Sequence, residues 1–311
     1  MQKMNMYLSR FFRGEDTYKL ANLVAGYYGE QDFYRIAENF KPYNSILVKN
    51  FIFEFPSFVQ IDALLITEHE IHLYEVKNYD AHCSINDGRI FYDKKRLNHN
   101  PLFQITRAVE GFKNILHQEK IMLEVKPHLV FMHPFGSFET DGTHVVSLMT
   151  RNQLREHFRQ MVNSPGGDSA YSPKSLHEIL KAYQIVDWHS PHDDNLVDFN
   201  KLKRGIYCLN CGSFRVKSRQ HTIKCSECGH VVSKKLAINY LIAECCTLCP
   251  NETLRPQDIF QFSDGLLDRG WVYKNLAKTL EREKRGYYFK LEKNPYTDQM
   301  LELYSKLKSR R

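Results

Sequence analysis

The 311-residue sequence lacks long apolar runs and has few cysteines outside one short segment. No stretch approaches the roughly 18 consecutive apolar residues of a transmembrane helix, which excludes such a helix. The opening segment MQKMNMYLSRFFRGED has neither the apolar stretch nor the small-residue cleavage site of a secretory signal, so we expect a cytoplasmic protein. Repeats and low-complexity segments are also missing, which excludes collagen and coiled coil as the main architecture.

What the sequence does contain is enough apolar material for packed cores. Hydrophobic residues make up 42% and charged residues 25%, and the length predicts two or three domains. The net charge of +7 is unevenly divided, because residues 201–311 hold 22 Lys and Arg against 11 Asp and Glu, whereas residues 1–200 hold 21 against 25. A basic end on an acidic body is typical of a chain that binds a polyanion, and a surface kept basic for solubility is the alternative.

Seven of the eight cysteines lie within residues 208–249. Four of them form the pattern C-x₂-C-x₁₃-C-x₂-C, made by Cys208, Cys211, Cys225 and Cys228. A glycine follows each pair, and its positive φ lets backbone amides face the sulfurs. Four thiolates complete the tetrahedral shell of structural Zn²⁺, so we predict a zinc ribbon with a short hairpin between the pairs. A redox pair or cysteines without a ligand are the alternatives.

The remaining cysteines of this segment are less informative. Cys245, Cys246 and Cys249 follow the apolar run Leu236–Ala243. We predict that they lie on or directly after a buried helix. A second metal site is the alternative, but it would need a fourth ligand.

Apolar spacing and turn residues predict the order α-β-β-β-α-β in the first 162 residues, which is a mixed sheet flanked by helices. The expected elements are a helix over 15–40, strands over Ser45–Glu54, Phe58–Thr67, Ile71–Tyr79 and near Ser84–Tyr92, a helix from Asn100–Pro101 to Glu119, strands over His128–His133 and His144–Met149, and a helix over 152–162. Asp87–Gly88 is a turn signal within the strand near Ser84–Tyr92. We therefore predict one domain over 1–162, a linker with a helix over 163–205, a zinc ribbon over 206–235 and a basic helical domain over 236–311.

Two charged motifs, Gln60-Ile61-Asp62 and Glu75-Val76-Lys77, fall on neighbouring predicted strands. If these strands form a hairpin turning at Glu68–His69, the register places Asp62 opposite Glu75, with Lys77 on the same face. Opposed carboxylates favour a bound cation, and oxygen ligands suit Mg²⁺ or Mn²⁺. This is the chemistry of phosphodiester hydrolysis. The alternative is a strand-end Asp62 and a surface Glu75–Lys77 pair.

Four short motifs occur in order along the first half of the chain. They are Gly29-Glu30, Gln60-Ile61-Asp62, Tyr74-Glu75-Val76-Lys77-Asn78-Tyr79 and Asn100-Pro101-Leu102-Phe103-Gln104. Together they resemble the nuclease-related domain (NERD), a branch of the PD-(D/E)xK nuclease superfamily, over roughly residues 20–135. The resemblance implies an α/β fold with a restriction-endonuclease-like core and Mg²⁺-dependent cleavage of DNA.

The resemblance also implies roles for individual residues. Asp62 and Glu75 would be the metal carboxylates and Lys77 the catalytic lysine, while Glu30 would brace the metal or its water from the first helix. Gln104 would hold a side chain or a phosphate, and satisfying backbone groups is an equal alternative. The chain departs from the family at Asp80-Ala81-His82, where a glycine is usual, and at Tyr92, where a tryptophan is common.

The basic end of the chain predicts a helix-turn-helix-like region with a short β wing. An apolar stripe (Val272, Leu276, Leu280) and a basic stripe (Lys274, Lys278, Arg282) run at helical spacing after residue 256, and a solvated basic face is the alternative explanation.

The sequence therefore predicts a Mg²⁺- or Mn²⁺-dependent deoxyribonuclease whose zinc ribbon and basic end bind nucleic acid. A catalytically silent DNA-binding or scaffold protein and a ribonuclease are the alternatives, so DNA is the expected partner and RNA the second choice. We expect no membrane partner. Whether the chain forms a homo-oligomer, or needs a protein partner before it can cleave, is left open.

Overall fold

The computed structural model describes residues 2–15, 19–163, 171–185, 201–248, 253–291 and 294–309. Residues 164–170 and 186–200 of the predicted linker segment, and Cys249, lie outside these residues. Among the helices that are described, none is both long enough and apolar enough to cross a membrane.

The elements alternate between helices and strands as an α/β protein requires. The helices are α1 (Gln2–Phe12), α2 (Leu20–Phe40), α3 (Pro101–Gln118), α4 (Leu154–Asn163), α5 (Pro173–Lys181), α6 (Lys234–Leu248), α7 (Pro256–Phe262), α8 (Arg269–Thr279) and α9 (Thr297–Lys308). The strands are β1 (Ile46–Phe55), β2 (Ser57–Ile66), β3 (Glu70–Lys77), β4 (His82–Asn86), β5 (Arg89–Tyr92), β6 (Lys95–Arg96), β7 (Glu124–Phe131), β8 (Ser137–Thr140), β9 (Ser147–Thr150), β10 (Val216–Ser218), β11 (Thr222–Cys225), β12 (Val231–Ser233), β13 (Thr253–Leu254), β14 (Arg282–Lys284) and β15 (Tyr287–Phe289).

The chain forms two compact units. The sheet unit is Ala25–Trp188, and the terminal unit combines Met1–Val24 with His189–Arg311. The terminal unit thus includes α1, a helix that the sequence did not predict. The four-part division made from the sequence stays a prediction, and it differs from these units in counting the first 24 residues with the nuclease-like domain.

The sheet unit is built on a five-stranded sheet, in the order β1-β2-β3-β7-β9 over the described residues. The first three strands are antiparallel, whereas β3, β7 and β9 run parallel. The parallel pairing of β3 with β7 requires a crossover connection, which contains α3. α3 begins at Pro101 because the Asn100 side chain accepts a hydrogen bond from the Leu102 amide, capping the first turn. The predicted mixed sheet flanked by helices is confirmed.

Both faces of this sheet are buried against helices. On one face the rings of Phe53 and Phe112 meet edge to face, 6.4 Å apart, because Gly111 lets α3 approach β1 closely. A Cβ at Gly111 would lie 2.7 Å from the Phe53 ring. On the other face Phe33 of α2 and Phe158 of α4 form a second core cluster. Burial on two sides explains why β2 and β3 are continuous apolar runs interrupted by few polar residues.

The predicted strand near Ser84–Tyr92 is wrong in one respect, because it is a hairpin of β4 and β5. Asp87 and Gly88 form its turn, with φ values of 50° and 65°. Two consecutive positive φ angles are the signature of a tight hairpin turn, and they prevent one continuous strand. β8 then pairs in parallel with β4, completing a small four-stranded sheet, β6-β5-β4-β8, within the described residues.

The described residues of the terminal unit include two small sheets together with α1 and α6 to α9. β10, β11 and β12 form one antiparallel sheet, and β13, β15 and β14 form the other. α1 is joined to α6 by a buried ion pair, in which the Arg13 Nε donates to the Glu244 carboxylate at 2.9 Å. The Arg13 guanidinium also donates to two backbone oxygens, those of Lys203 and Gly205, and lies 3.8 Å from the Phe262 ring centroid.

The predicted helix-turn-helix with a wing is present, with one correction. α8 ends at Thr279, so Arg282 belongs to β14 and not to the helical basic stripe. Leu280 caps the helix with extended φ and ψ, which breaks the 3.6-residue period at that point. The order α6-β13-α7-α8-β14-β15, with β15 between β13 and β14, is that of a winged helix.

Candidate active site and cysteine cluster

β2 and β3 form the antiparallel hairpin that the sequence predicts, with its turn at Glu68–His69. Leu65 pairs with His72, and the same register continued toward the open ends of the strands sets Asp62 opposite Glu75. A one-residue slip would have moved one of these carboxylates to the other face of the sheet. The hairpin register therefore brings the two acids together.

Asp62 is buried and held by three contacts. Its Oδ2 accepts a hydrogen bond from the Val76 amide at 2.9 Å, and the Gln60 side chain donates to its Oδ1 at 3.4 Å. The Tyr34 hydroxyl, on α2, donates to the Asp62 backbone oxygen at 2.8 Å. The carboxylate is thus fixed in position by the strand next to it and by the helix above it.

Lys77 forms an ion pair with the second acid. Its Nζ lies 2.6 Å from the Glu75 Oε1, and the Glu75 side chain is only 8% exposed. Because Lys77 follows Glu75 by two residues in β3, strand periodicity puts both on one face. Three of the predicted site residues therefore share one end of the β2–β3 hairpin.

Glu30 reaches this cluster from α2 because of the glycine before it. A Cβ on Gly29 would lie 2.6 Å from the Asn78 Cβ, so only glycine lets the helix pass this close to the end of β3. The Asn78 side chain donates to the Ala25 backbone oxygen at 2.7 Å, which fastens the two elements together. The half-buried Glu30 then lies near enough to the other acids for their charges to shift its pKa.

Burial raises the pKa values of all three acids, and repulsion from Asp62 raises those of Glu30 and Glu75 further. Burial, then Asp62, raises the pKa of Glu75 to about 7, and burial, then Asp62, raises that of Glu30 to about 8. Burial likewise raises the pKa of Asp62, although Lys77 opposes it. Burial would lower the pKa of Lys77, but Glu75 and Asp62 outweigh it and raise that pKa above its ordinary value. The cluster therefore holds excess negative charge when its acids ionise.

The fifth predicted residue, Gln104, lies on the first turn of α3. Its side chain is exposed, and within the described residues no hydrogen bond joins it to the acids. Its backbone amide donates to the Asn100 oxygen in the ordinary helical pattern. Its two predicted roles stay open.

Two residues that support the site carried no role in the sequence analysis. Gln60 and Tyr34 both hold Asp62. A signal for each was present, because Gln60 lies two residues before Asp62 on the same strand face, and Tyr34 lies four residues after Glu30 on the same helix face.

The two departures from the family pattern contact each other. The Tyr92 hydroxyl donates a hydrogen bond to the Asp80 carboxylate, and the Tyr92 ring meets Tyr79 edge to face at 5.3 Å. Asp80 and Tyr92 are therefore a matched pair that joins the segment after β3 to β5. Neither contacts the acids by any hydrogen bond among the described residues.

Residues 25–132 match the family model described as the nuclease-related domain. This stretch is a NERD domain. It covers about a third of the chain and contains Glu30, Asp62, Glu75, Lys77 and Gln104. No curated protein and no solved structure matches the chain. The family match therefore indicates a nuclease-related function for the NERD domain and carries no information about the function of the terminal unit.

The four predicted zinc ligands, Cys208, Cys211, Cys225 and Cys228, form one cluster outside the NERD domain. The Sγ atoms of Cys208 and Cys228 are 3.6 Å apart, and those of Cys211 and Cys225 are 3.7 Å apart. Tetrahedral Zn²⁺ with Zn–S bonds of about 2.3 Å separates its sulfurs by about 3.8 Å, so the spacing fits that ion.

The backbone around the cysteine cluster is that of two knuckles. Gly212 and Gly229 have φ values of 72° and 73°, as the pattern of a glycine after each cysteine pair predicts. The amides of Asn210 and Glu227 donate to the cysteine sulfurs at 3.4 Å. The predicted hairpin is present as β10 and β11, with β12 added as a third strand. These features are consistent with a zinc ribbon.

Cys245 and Cys246 lie on α6, as predicted for the second group of cysteines, and Cys245 is fully buried. No cluster of metal-ligand type includes them among the described residues.

The winged-helix region exposes basic residues on adjoining elements. Lys274 and Lys278, called here the α8 lysines, project from α8, while Arg282, Lys284 and Arg285 lie on the β14–β15 hairpin. All five are exposed. The apolar stripe of α8 is buried, as predicted, so the basic face is the outward one.

Proposed function

We propose that the protein is a Mg²⁺- or Mn²⁺-dependent nuclease that hydrolyses DNA phosphodiester bonds. The observation that carries the proposal is the convergence of Glu30, Asp62, Glu75 and Lys77 at one end of the β2–β3 hairpin. The NERD match supports the reaction class.

The donor set fits a hard divalent cation. Three carboxylates with raised pKa values meet one lysine, so their ionised forms carry uncompensated negative charge that a divalent ion would offset. Asp62 and Glu75 would hold the ion, and Glu30 would hold it or its water. Bound there, such an ion polarises a phosphate and lowers the pKa of water.

Lys77 acts as a cation rather than as a base. Its pKa stays high because Glu75 and Asp62 stabilise the ammonium form, so at neutral pH it holds its proton. In this role it donates hydrogen bonds and stabilises negative charge that grows on the phosphate oxygens. Gln60 and Tyr34 are positioning residues, since they act through Asp62.

The terminal unit would hold the nucleic acid. We assign Zn²⁺ to the four-cysteine cluster, where it stabilises the ribbon. The exposed basic residues of α8 and of the wing would contact phosphates, which gives affinity with little sequence information. The ribbon also exposes Arg215, Lys217 and Arg219, which would contact phosphates in the same way.

The test is a cleavage assay on plasmid, linear DNA and RNA with Mg²⁺, Mn²⁺ or EDTA. Lys77→Ala and Asp62→Ala should each reduce metal-dependent cleavage by about 100-fold or more. Lys113→Ala and Glu110→Gln, which remove exposed charges from α3, are the matched controls and should cleave like the wild type.

Three outcomes would change the proposal. Equal background cleavage by wild type and variants, with DNA binding retained, would indicate a silent DNA-binding or scaffold protein. Cleavage of RNA alone would indicate a ribonuclease. Cleavage that persists in EDTA would exclude the divalent ion.

A further inference from the structure

Three histidines meet on the face of the sheet opposite the acids. His72 lies on β3, His128 on the neighbouring β7, and His157 on α4, which covers this face. His72 and His128 are buried, and His157 is half-buried. The parallel register pairs Tyr74 with His128, so the alternate residues His72 and Tyr74 both project toward α4.

The imidazole nitrogens are close enough to share an ion. The His72 Nδ1 and the His128 Nε2 are 2.9 Å apart, and the two ring planes differ by 23°. One nitrogen from each of the three histidines lies within 4.8 Å of the others. Three imidazoles around Zn²⁺ at about 2.0 Å place their nitrogens about 3.4 Å apart. The His72–His128 pair would open by about 0.5 Å to reach that spacing, and the third histidine lies within the 4.8 Å limit.

A carboxylate already orients the first imidazole. The Glu70 Oε2 lies 3.2 Å from the His72 Nε2, and its other oxygen is bound by the Lys126 ammonium. Glu70 therefore accepts the Nε2 proton of His72 and leaves the Nδ1 lone pair facing His128. Metal-binding histidines usually donate their second ring N–H to a carboxylate in this way.

The hydrogen bonds of the cluster are incomplete without another group. If His128 donates from Nε2 to His72, its Nδ1 keeps a lone pair, and that buried atom has no hydrogen-bond partner among the described residues. The His157 Nε2 lies 3.0 Å from the Tyr74 hydroxyl oxygen, which is within hydrogen-bond distance. The His128 Nδ1 is therefore a buried ring nitrogen of this cluster that the described hydrogen bonds leave without a partner.

We propose that His72, His128 and His157 bind a divalent transition-metal ion, Zn²⁺ foremost, that fastens α4 to the sheet. Imidazole nitrogen suits Zn²⁺, whereas Mg²⁺ and Mn²⁺ prefer the oxygen ligands of the acid cluster. This ion is separate from the nuclease ion and from that of the cysteine cluster. It goes beyond the proposed function, because it stabilises the sheet unit whether or not the chain cleaves DNA.

The test is the zinc content of the full-length protein after exposure to Zn²⁺ and removal of unbound ion. Wild type should hold two Zn²⁺ per chain and His157→Gln one. Glutamine retains a hydrogen-bonding group beside Tyr74, so the variant keeps a polar contact there. His69→Gln, at the exposed turn between β2 and β3, is the matched control and should hold two.

A second measurement does not depend on any variant. Co²⁺ added to wild-type protein whose cysteine cluster is already filled with Zn²⁺ should produce d–d absorption without thiolate charge transfer. Hydrogen exchange in α4 and β7 should slow when Zn²⁺ is added. One Zn²⁺ per chain in wild type, with no cobalt spectrum and unchanged exchange, would overturn the proposal and leave the histidines as a hydrogen-bonded part of the core.

Discussion

The buried acid cluster makes the stability of the sheet unit depend on pH in an unusual direction. Glu75 has an ordinary pKa of 4.5, and burial followed by repulsion from Asp62 raises it to about 7 in the folded protein. Between these values the unfolded chain has released the proton and the folded chain still holds it. Stability without metal should therefore fall as pH rises through this window, which is the reverse of what a carboxylate whose pKa is lowered on folding produces.

The size of the effect follows from the two pKa values. At about 1.4 kcal/mol per pH unit, the full loss is about 3 kcal/mol, and the part between pH 5 and pH 8 is about 2.5 kcal/mol. Below pH 4.5 both states hold the proton and above pH 7 both have released it, so the dependence flattens at each end. A divalent ion bound by the ionised acids should remove the fall, because it pairs the charges that repel.

The assay is hydrogen exchange of peptides from β2 and β3 in EDTA, corrected for the intrinsic pH dependence of exchange. The difference between wild type and Glu75→Gln isolates this one group, and Glu110→Gln on α3 is the control for a lost carboxylate. Wild type should lose protection between pH 5 and pH 8 while Glu75→Gln loses much less. Equal pH dependence in both would refute the reasoning, since Glu75 would then titrate as an exposed acid.

Four further results are expected. Gly29→Ala should lower the free energy of unfolding by about 1–3 kcal/mol and reduce cleavage, because the new Cβ would lie 2.6 Å from Asn78. Gly26→Ala in the same helix meets nothing within 4 Å and should change neither quantity, as measured by urea unfolding and the cleavage assay. Arg13→Met should lower the unfolding free energy of the terminal unit by about 3–5 kcal/mol, since it leaves Glu244 buried and unpaired. Adding Glu244→Leu should restore much of that free energy, and a double variant no more stable than Arg13→Met would contradict this. Chelating the Zn²⁺ proposed for the cysteine cluster should increase hydrogen exchange in β10–β12, and unchanged exchange would argue against a structural ion. Replacing the α8 lysines with alanine should reduce the slope of log affinity for DNA against log salt by about 2, and an unchanged slope would place DNA elsewhere.

The two strongest predictions from the sequence rest on local spacing. C-x₂-C-Gly repeated after 13 residues dictates two knuckles, because the glycine φ and the short span leave the sulfurs few other arrangements, and Gly212 and Gly229 have that φ. The opposition of Asp62 and Glu75 likewise follows from a short turn and a period of two. Both features hold residues that are close in the chain or joined by a hairpin.

Tertiary structure decided the features that link distant segments. The sequence offers no reason for α1 to pack against α6, since the partners Arg13 and Glu244 are separated by most of the chain. The Asp87-Gly88 turn signal lies within the predicted strand near Ser84–Tyr92. Two adjacent positive φ angles at these residues divide that segment into a hairpin.

By itself, then, the sequence determined which acids face each other, which cysteines cluster and which end of the chain is basic, because each depends on periodicity or short loops. Only the tertiary structure brought Glu30 beside Asp62, through the close passage of Gly29 over Asn78, and only it gathered three histidines from β3, β7 and α4. Such meetings depend on packing distances between elements, which no spacing within one element encodes.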